Sequence, residues 1–290
     1  MAGAALVATE AAVALYPNTD FVPYVLPAMQ AGVVSIAVLA GVSFVKESDL
    51  GDKEKNILMN GFIVAVMAPT LLAAGAFLHS TQTSWTDGEV HYHADYEVLV
   101  ERDGQLERTD LVNPSEFCKD TSHESTYMCS INDRTGSVKY HEHNDQRIHL
   151  EGTFKHREDA SLSSFFETFG GRLSNERLVY PTTDGTIDVT ENGKNIKILV
   201  QKGVGGSRHW CAIGENVSKE NKCRSHGRLA DSPEDYVISP HTQNPRSGPI
   251  LDNIFVVYDS RSVETALRDV RDDNKYQGFG LKKGGEGYGG

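Results

Sequence analysis

Arginine is absent from the first 80 residues and cysteine from the first 117, and no charged side chain occurs in 21–45 or 56–78. Basic residues are scarce overall: 28 Lys+Arg face 40 Asp+Glu, a net charge of −12 that repels phosphate backbones and argues against a nucleic-acid partner. No G-x-S-x-G elbow, P-loop, H-E-x-x-H pair or dinucleotide fingerprint occurs, so the commonest hydrolase and nucleotide-binding chemistries have no signature here. Gly203-Val204-Gly205-Gly206 is a lone glycine cluster and reads as a loop. Repeats of useful length are missing too. What remains is a chain of 290 residues, 39% hydrophobic, enough for one or two packed domains and too apolar for disorder.

The charge-free runs are the first positive feature. A bilayer core of ~30 Å takes about 20 helical residues, so each run predicts a transmembrane helix. A soluble helix of this length would carry a polar stripe at a period of about 3.6 residues. Apart from Gln30, these runs show only small residues and scattered prolines against an apolar background. Lys46, Lys53 and Lys55 in the connecting loop are the only basic residues near either run, which predicts a cytoplasmic loop and extracytoplasmic termini. Residues 1–20 lack the basic n-region of a signal peptide and contain Glu10, so they read as a short interfacial or packing segment. The expected organisation is a two-helix anchor in the lipid bilayer over 21–80, an extracytoplasmic domain over 81–272, and a Gly-rich flexible tail over 273–290.

All four cysteines, Cys118, Cys129, Cys211 and Cys223, lie beyond the apolar runs in two close pairs. That distribution suits disulfides in an oxidising compartment, with Cys118–Cys129 and Cys211–Cys223 the favoured pairing of three connectivities. The competing reading of the second pair is a zinc site, since His209 and Cys211 with Cys223 and His226 form an H-x-C…C-x2-H arrangement. A glycosylation sequon, Asn216-Val217-Ser218, falls within the same loop.

The domain itself reads as mostly β. Over 90–101, Tyr92, Ala94, Tyr96, Val98 and Val100 alternate with His91, His93, Asp95 and Glu97, which predicts a strand with one apolar face and one histidine-bearing face. SVKYHEH and RIHLEGTF predict two short strands joined at Asn144-Asp145, and NIFVVY (253–258) a core strand. Asn192-Gly193 predicts a tight hairpin between TIDVT and NIKILV. Ser161 and Ser262 are expected to cap two helices, the first carrying Leu162, Phe165, Phe166 and Phe169 as an apolar stripe. The fold class is thus two N-terminal transmembrane α-helices followed by a mostly β (α+β) extracytoplasmic domain.

Five of the 11 histidines fall close together: His91-x-His93, His141-x-His143 and His149, the last followed by Glu151. Residues i and i+2 of a strand project to one side about 6.5–7 Å apart, so neighbouring strands bearing such pairs build a candidate metal site. Imidazoles with a carboxylate suit Zn(II), Cu(II), Ni(II) or Fe(II), and Cu or Zn is the expected ion. A type-1 copper site is disfavoured, because the only Met beyond the apolar runs is Met128, beside a cysteine.

In order along the chain, His91-Tyr92-His93-Ala94-Asp95-Tyr96, the Cys118 to Cys129 loop, His141-Glu142-His143-Asn144, Ile148-His149-Leu150-Glu151, Ser161 to Phe166 and Ile254 to Tyr258 form a set of motifs. The set resembles a family of membrane-anchored extracytoplasmic domains of archaea and candidate-phylum bacteria, largely of unknown function. The resemblance covers roughly residues 89–258. It implies a fold and an anchored topology, and no activity. This chain departs from the family pattern in carrying Glu151 where a further histidine stands and Asn144 where an acidic residue stands.

Three functions follow as expectations. The first is an extracytoplasmic metal-binding protein using His91, His93, His141, His143, His149 and Glu151. The second is a surface interaction or assembly subunit with a membrane or cell-surface protein partner, its histidines forming a polar network. The third is a metal-dependent enzyme with Glu142, Glu151 or Asp95 as acid or base, Glu142 being disfavoured because strand parity turns it away from His141 and His143.

Overall fold

The computed structural model describes residues 22–46, 50–87, 90–117, 135–137, 139–204, 207–238, 242–244 and 248–272. The expectations on 1–20, on the tail and on Cys118 and Cys129 lie outside the described residues. The chain divides into two compact units, Met1–Glu89 with Gly152–Lys155, and Val90–Glu151 with His156–Gly290.

The first unit holds two helices, α1 (Val22–Lys46) and α2 (Asp52–Gln82). Gly32 permits their close approach: a Cβ there would stand 2.7 Å from Pro69 Cγ and 2.9 Å from the Ala65 carbonyl oxygen. Two hydroxyls on the helices are satisfied internally, Ser35 donating to Ala31 O and Thr70 to Val66 O, each at 2.8 Å. Among the described residues, every exposed large hydrophobic, from Met29 to Leu78, belongs to α1 or α2. Apolar exposure on that scale is unfavourable in water and is characteristic of membrane or protein contact surfaces. The stretch Asp52–Ala76 of α2 is long and apolar enough to cross a membrane, whereas the apolar stretch of α1 runs Met29–Phe44 and is shorter.

The second unit is built on an eight-stranded mixed sheet. Its strands are β1 (Val90–Arg102), β2 (Gln105–Thr109), β3 (Thr135–Gly136), β4 (Tyr140–Glu142), β5 (Arg147–Gly152), β9 (Asn195–Val204), β10 (Ser207–Ile213) and β15 (Asp252–Asp259). Between them in sequence come a three-stranded sheet of β6 (Arg172–Leu173), β7 (Arg177–Thr182) and β8 (Gly185–Thr190), and the two-stranded pairs β11–β12 (Arg224–Ser225, Arg228–Leu229) and β13–β14 (Thr242–Asn244, Gly248–Ile250). The main order is β10-β9-β15-β1-β5-β4-β3, with β2 also paired to β1. β1 runs parallel to β15, Ala94 facing Asp252 and Val100 facing Tyr258.

Alternation assigns the two faces. On the even side of β1, Tyr96 meets Phe165 of helix α3 (Leu162–Glu167), ring centroids 5.3 Å apart, and Tyr140 of β4 meets the same ring at 5.2 Å. Phe166 and Phe169 extend this cluster to Tyr180, whose hydroxyl lies 3.2 Å from that of Tyr96. Ser161 caps α3, accepting from Ser164 N as expected. On the odd side, Leu99, Leu199, Phe255 and Val257 pack with Ala266 and Leu267 of helix α4 (Val263–Asp272), which Ser262 caps by accepting from Thr265 N. β1 therefore has both faces covered from Ala94 to Val100, where its sequence pattern predicted one apolar face.

Two expectations are corrected. The hairpin at Asn192-Gly193 does not form: Gly193 adopts a positive φ of 75°, but β8 pairs with β7 and β9 pairs with β15 and β10. A strand flanked on both sides has no edge left for β8. The zinc reading of His209, Cys211, Cys223 and His226 also fails, because Cys211 and Cys223 are joined as a disulfide and offer no thiolate.

Gly136 pairs with His141 and has a φ of 123°. A Cβ at Gly136 would lie 2.6 Å from the Tyr140 carbonyl oxygen and 3.0 Å from His141 Cα. Gly136→Ala is expected to destabilise the domain by at least about 1 kcal/mol, read by chemical denaturation, because both the backbone angle and the space are wrong for a side chain.

Candidate metal centre

β1, β5 and β4 lie side by side, and their odd-numbered residues face one way. Tyr96 N donates to Gln146 O at 3.0 Å between β1 and the start of β5, and His141 is registered directly opposite His149. Asn144 and Gln146 take positive φ values of 63° and 61° in the tight turn that returns β4 to β5. The expected pairing of these two strands around Asn144-Asp145 is thus observed, and it brings the histidines of three strands together.

His149 is the centre of the cluster. Its ring centroid lies 4.4 Å from that of His93, 4.8 Å from His143, 5.2 Å from His141 and 6.4 Å from His91. Nitrogens of His91, His93 and His149 all fall within 4.8 Å of one another, and so do those of His141, His143 and His149. Both triads could hold a metal ion. Glu151 completes the set: its Oε1 is 3.1 Å from His91 Nε2, 3.9 Å from His149 Nδ1 and 4.0 Å from His141 Nε2. An ion with bonds of ~2.0–2.1 Å and tetrahedral angles spaces its donors roughly 3.3 Å apart, so modest side-chain adjustment brings the three nitrogens of either triad to one centre.

Burial shapes the chemistry. His141 is fully buried and His149 is 7% exposed, while His91 reaches solvent. His149 Nε2 is buried and makes no hydrogen bond. Burial, then the positive charge that His141, His93, His143 and His91 would carry, holds the His149 pKa well below its ordinary value, so the ring is neutral. Neutral imidazole is the form that ligates metals.

The remaining acidic candidates are engaged elsewhere. Asp95 pairs with Arg147, Nε to Oδ1 2.9 Å, and both are buried. Glu142 accepts from Gln146 N at 2.7 Å inside the turn and stands outside both triads. Arg147 is the residue sequence reasoning missed. It shares the face of His149 and Glu151 by parity, so the same alternation could have found it.

No protein-family model matches the chain, and neither a curated protein nor a solved structure shows significant similarity to it.

Two buried groups of the site contribute to the pH behaviour of the metal-free protein, and His226, whose pKa desolvation also lowers, adds to the effect of the first. Below the ordinary histidine value of 6.5, the unfolded chain takes up a proton that folded His149 refuses, so stability is lost as pH falls. Burial pushes Glu142 up from 4.5 to about 7 against three backbone N–H donors, so its contribution runs the other way and is lost as pH rises between those values. Glu142→Gln removes the second effect and keeps an acceptor for Gln146 N. Urea denaturation of this variant is expected to show stability falling by up to about 1.4 kcal/mol per pH unit and proton below 6.5, with a shallower slope in the wild type. A profile in the variant that is flat, or that His226→Gln alone makes flat, would rule out a neutral buried His149.

Proposed function

We propose that the protein is a membrane-anchored, extracytoplasmic metal-binding protein whose histidine cluster holds a transition ion, Cu or Zn. The observation that carries this reading is His149 Nε2, buried without a hydrogen bond at the junction of two imidazole triads. Leaving a buried polar nitrogen unsatisfied costs roughly 1–3 kcal/mol, and coordination offsets that cost. A set of imidazoles with one carboxylate suits Zn(II) and Cu(II) better than Mg or Ca, which prefer oxygen.

The anchored reading has α1 and α2 cross the bilayer as a pair, with Lys46, Lys53 and Lys55 on the cytoplasmic side and both termini outside. The Cys211–Cys223 disulfide supports an oxidising compartment for the domain. The family resemblance in the motif order is consistent with the same topology. An enzymatic role is less well supported, because Asp95 is tied to Arg147 and Glu142 to its own turn, leaving Glu151 as the one carboxylate beside the imidazoles.

Two measurements test these readings. Calorimetric titration of the full-length protein in detergent with Zn(II) and Cu(II) is expected to show binding that His149→Ala weakens by more than about 100-fold, beyond what loss of a supporting residue gives. Equal affinity in a folded variant would sink the metal reading. In sealed vesicles, a membrane-impermeant amine reagent applied from outside is expected to leave Lys46, Lys53 and Lys55 unlabelled while modifying lysines of the domain; labelling of the loop would reverse the topology.

A further inference from the structure

The five imidazoles gather as two sets of three rather than as one set of five, and both sets contain His149. An ion with bonds of ~2.0–2.1 Å keeps even its most distant donors within roughly 4.2 Å of each other. The five do not form one such group: mutual spacings within 4.8 Å are reached in each triad, and no single set holds all five. The strands cannot slide to merge the sets, because His141 and His149 are held opposite each other in a ladder and β1 is fixed between β15 and β5. Glu151 Oε1 lies nearer to His91 Nε2, at 3.1 Å, than to His141 Nε2, at 4.0 Å, so it belongs with the first triad.

We propose, resting on the metal-binding reading above, that the cluster takes two transition ions, one per triad, with His149 shared between them. Each ring nitrogen of His149 then ligates one ion. A neutral imidazole carries one N–H, so the second ion displaces that proton to solvent and the ring becomes an imidazolate bridge, with no change of oxidation state. The ion at His91, His93 and His149 gains Glu151 as fourth donor. The ion at His141, His143 and His149 has three protein donors and an open position, the arrangement that admits water or a small anion.

The test saturates the full-length, detergent-solubilised protein with Cu(II), removes unbound ion by gel filtration, and compares copper content with unpaired spins. Copper is counted above the background of a His93→Ala, His143→Ala double variant, which corrects for the other histidines. Two coppers per chain are expected, with an electron paramagnetic resonance signal integrating at low temperature to well below two spins, because the shared ring couples them. His93→Ala and His143→Ala are each expected to keep one copper carrying a full spin. His91→Ala, at an exposed position, replaces His93→Ala if that variant fails to fold by circular dichroism. One copper per chain in the wild type overturns the two-ion proposal while leaving metal binding intact. Two coppers with two full spins overturn the sharing of His149. No copper above background overturns both proposals.

Discussion

The hydrogen bond from Tyr96 N to Gln146 O, 3.0 Å long, joins β1 to the head of β5 and fixes which side chains of the two strands share a face. A strand alternates its side chains with a period of two, so a one-residue slip would carry every histidine to the opposite side. In the observed register, Tyr96 and Tyr140 close on Phe165 while His91, His93, His141 and His149 gather behind them. Core and candidate chemistry are thus the two sides of one set of strands. Packing of α3 on the even face holds the odd face in place, and the Arg147–Asp95 pair braces β5 against β1 beside the cluster.

Elsewhere in the sheet, two buried lysines are each matched by a carboxylate. Lys197 is buried on β9, where its ammonium reaches Asp259 Oδ1 at 2.7 Å and donates to the carbonyls of Asn195 and Asp259. Lys202, further along the same strand, meets Asp252 at 3.1 Å and the hydroxyl of Tyr236, which itself donates to Asp252 at 2.7 Å. Removing one partner of such a pair leaves an uncompensated charge and is strongly destabilising, although the intact pair adds little net stability. The histidine cluster differs in kind: its central ring is kept neutral by burial and by its own neighbours, so it could accept a cation where the lysine pairs could not.

Much of the candidate site was legible because strand periodicity is local. The spacings His91-x-His93, His141-x-His143 and His149-x-Glu151 already placed these residues on one side of their strands, and both serine caps were readable from the apolar stripes that follow them. The failure at Asn192-Gly193 has an equally physical origin. The dipeptide does turn the chain, but β9 is a central strand, and the ladders with β15 and β10 outcompete the local pairing that the turn alone would favour. The zinc alternative at Cys211 and Cys223 was open in sequence because thiols at that spacing serve either chemistry until their sulfurs are placed.

By itself, the sequence determined the long apolar helices, the faces of the strands and the identity of the donor atoms, since each depends on residues a few positions apart. Tertiary structure decided what depends on long-range pairing. It set β1 parallel to β15, covered the polar side of β1 beyond His93, and divided the imidazoles into two triads around His149. That last division is the physically consequential one. The distance between groups on different strands is set by the order of the ladders in space, which alternation along a single strand does not encode.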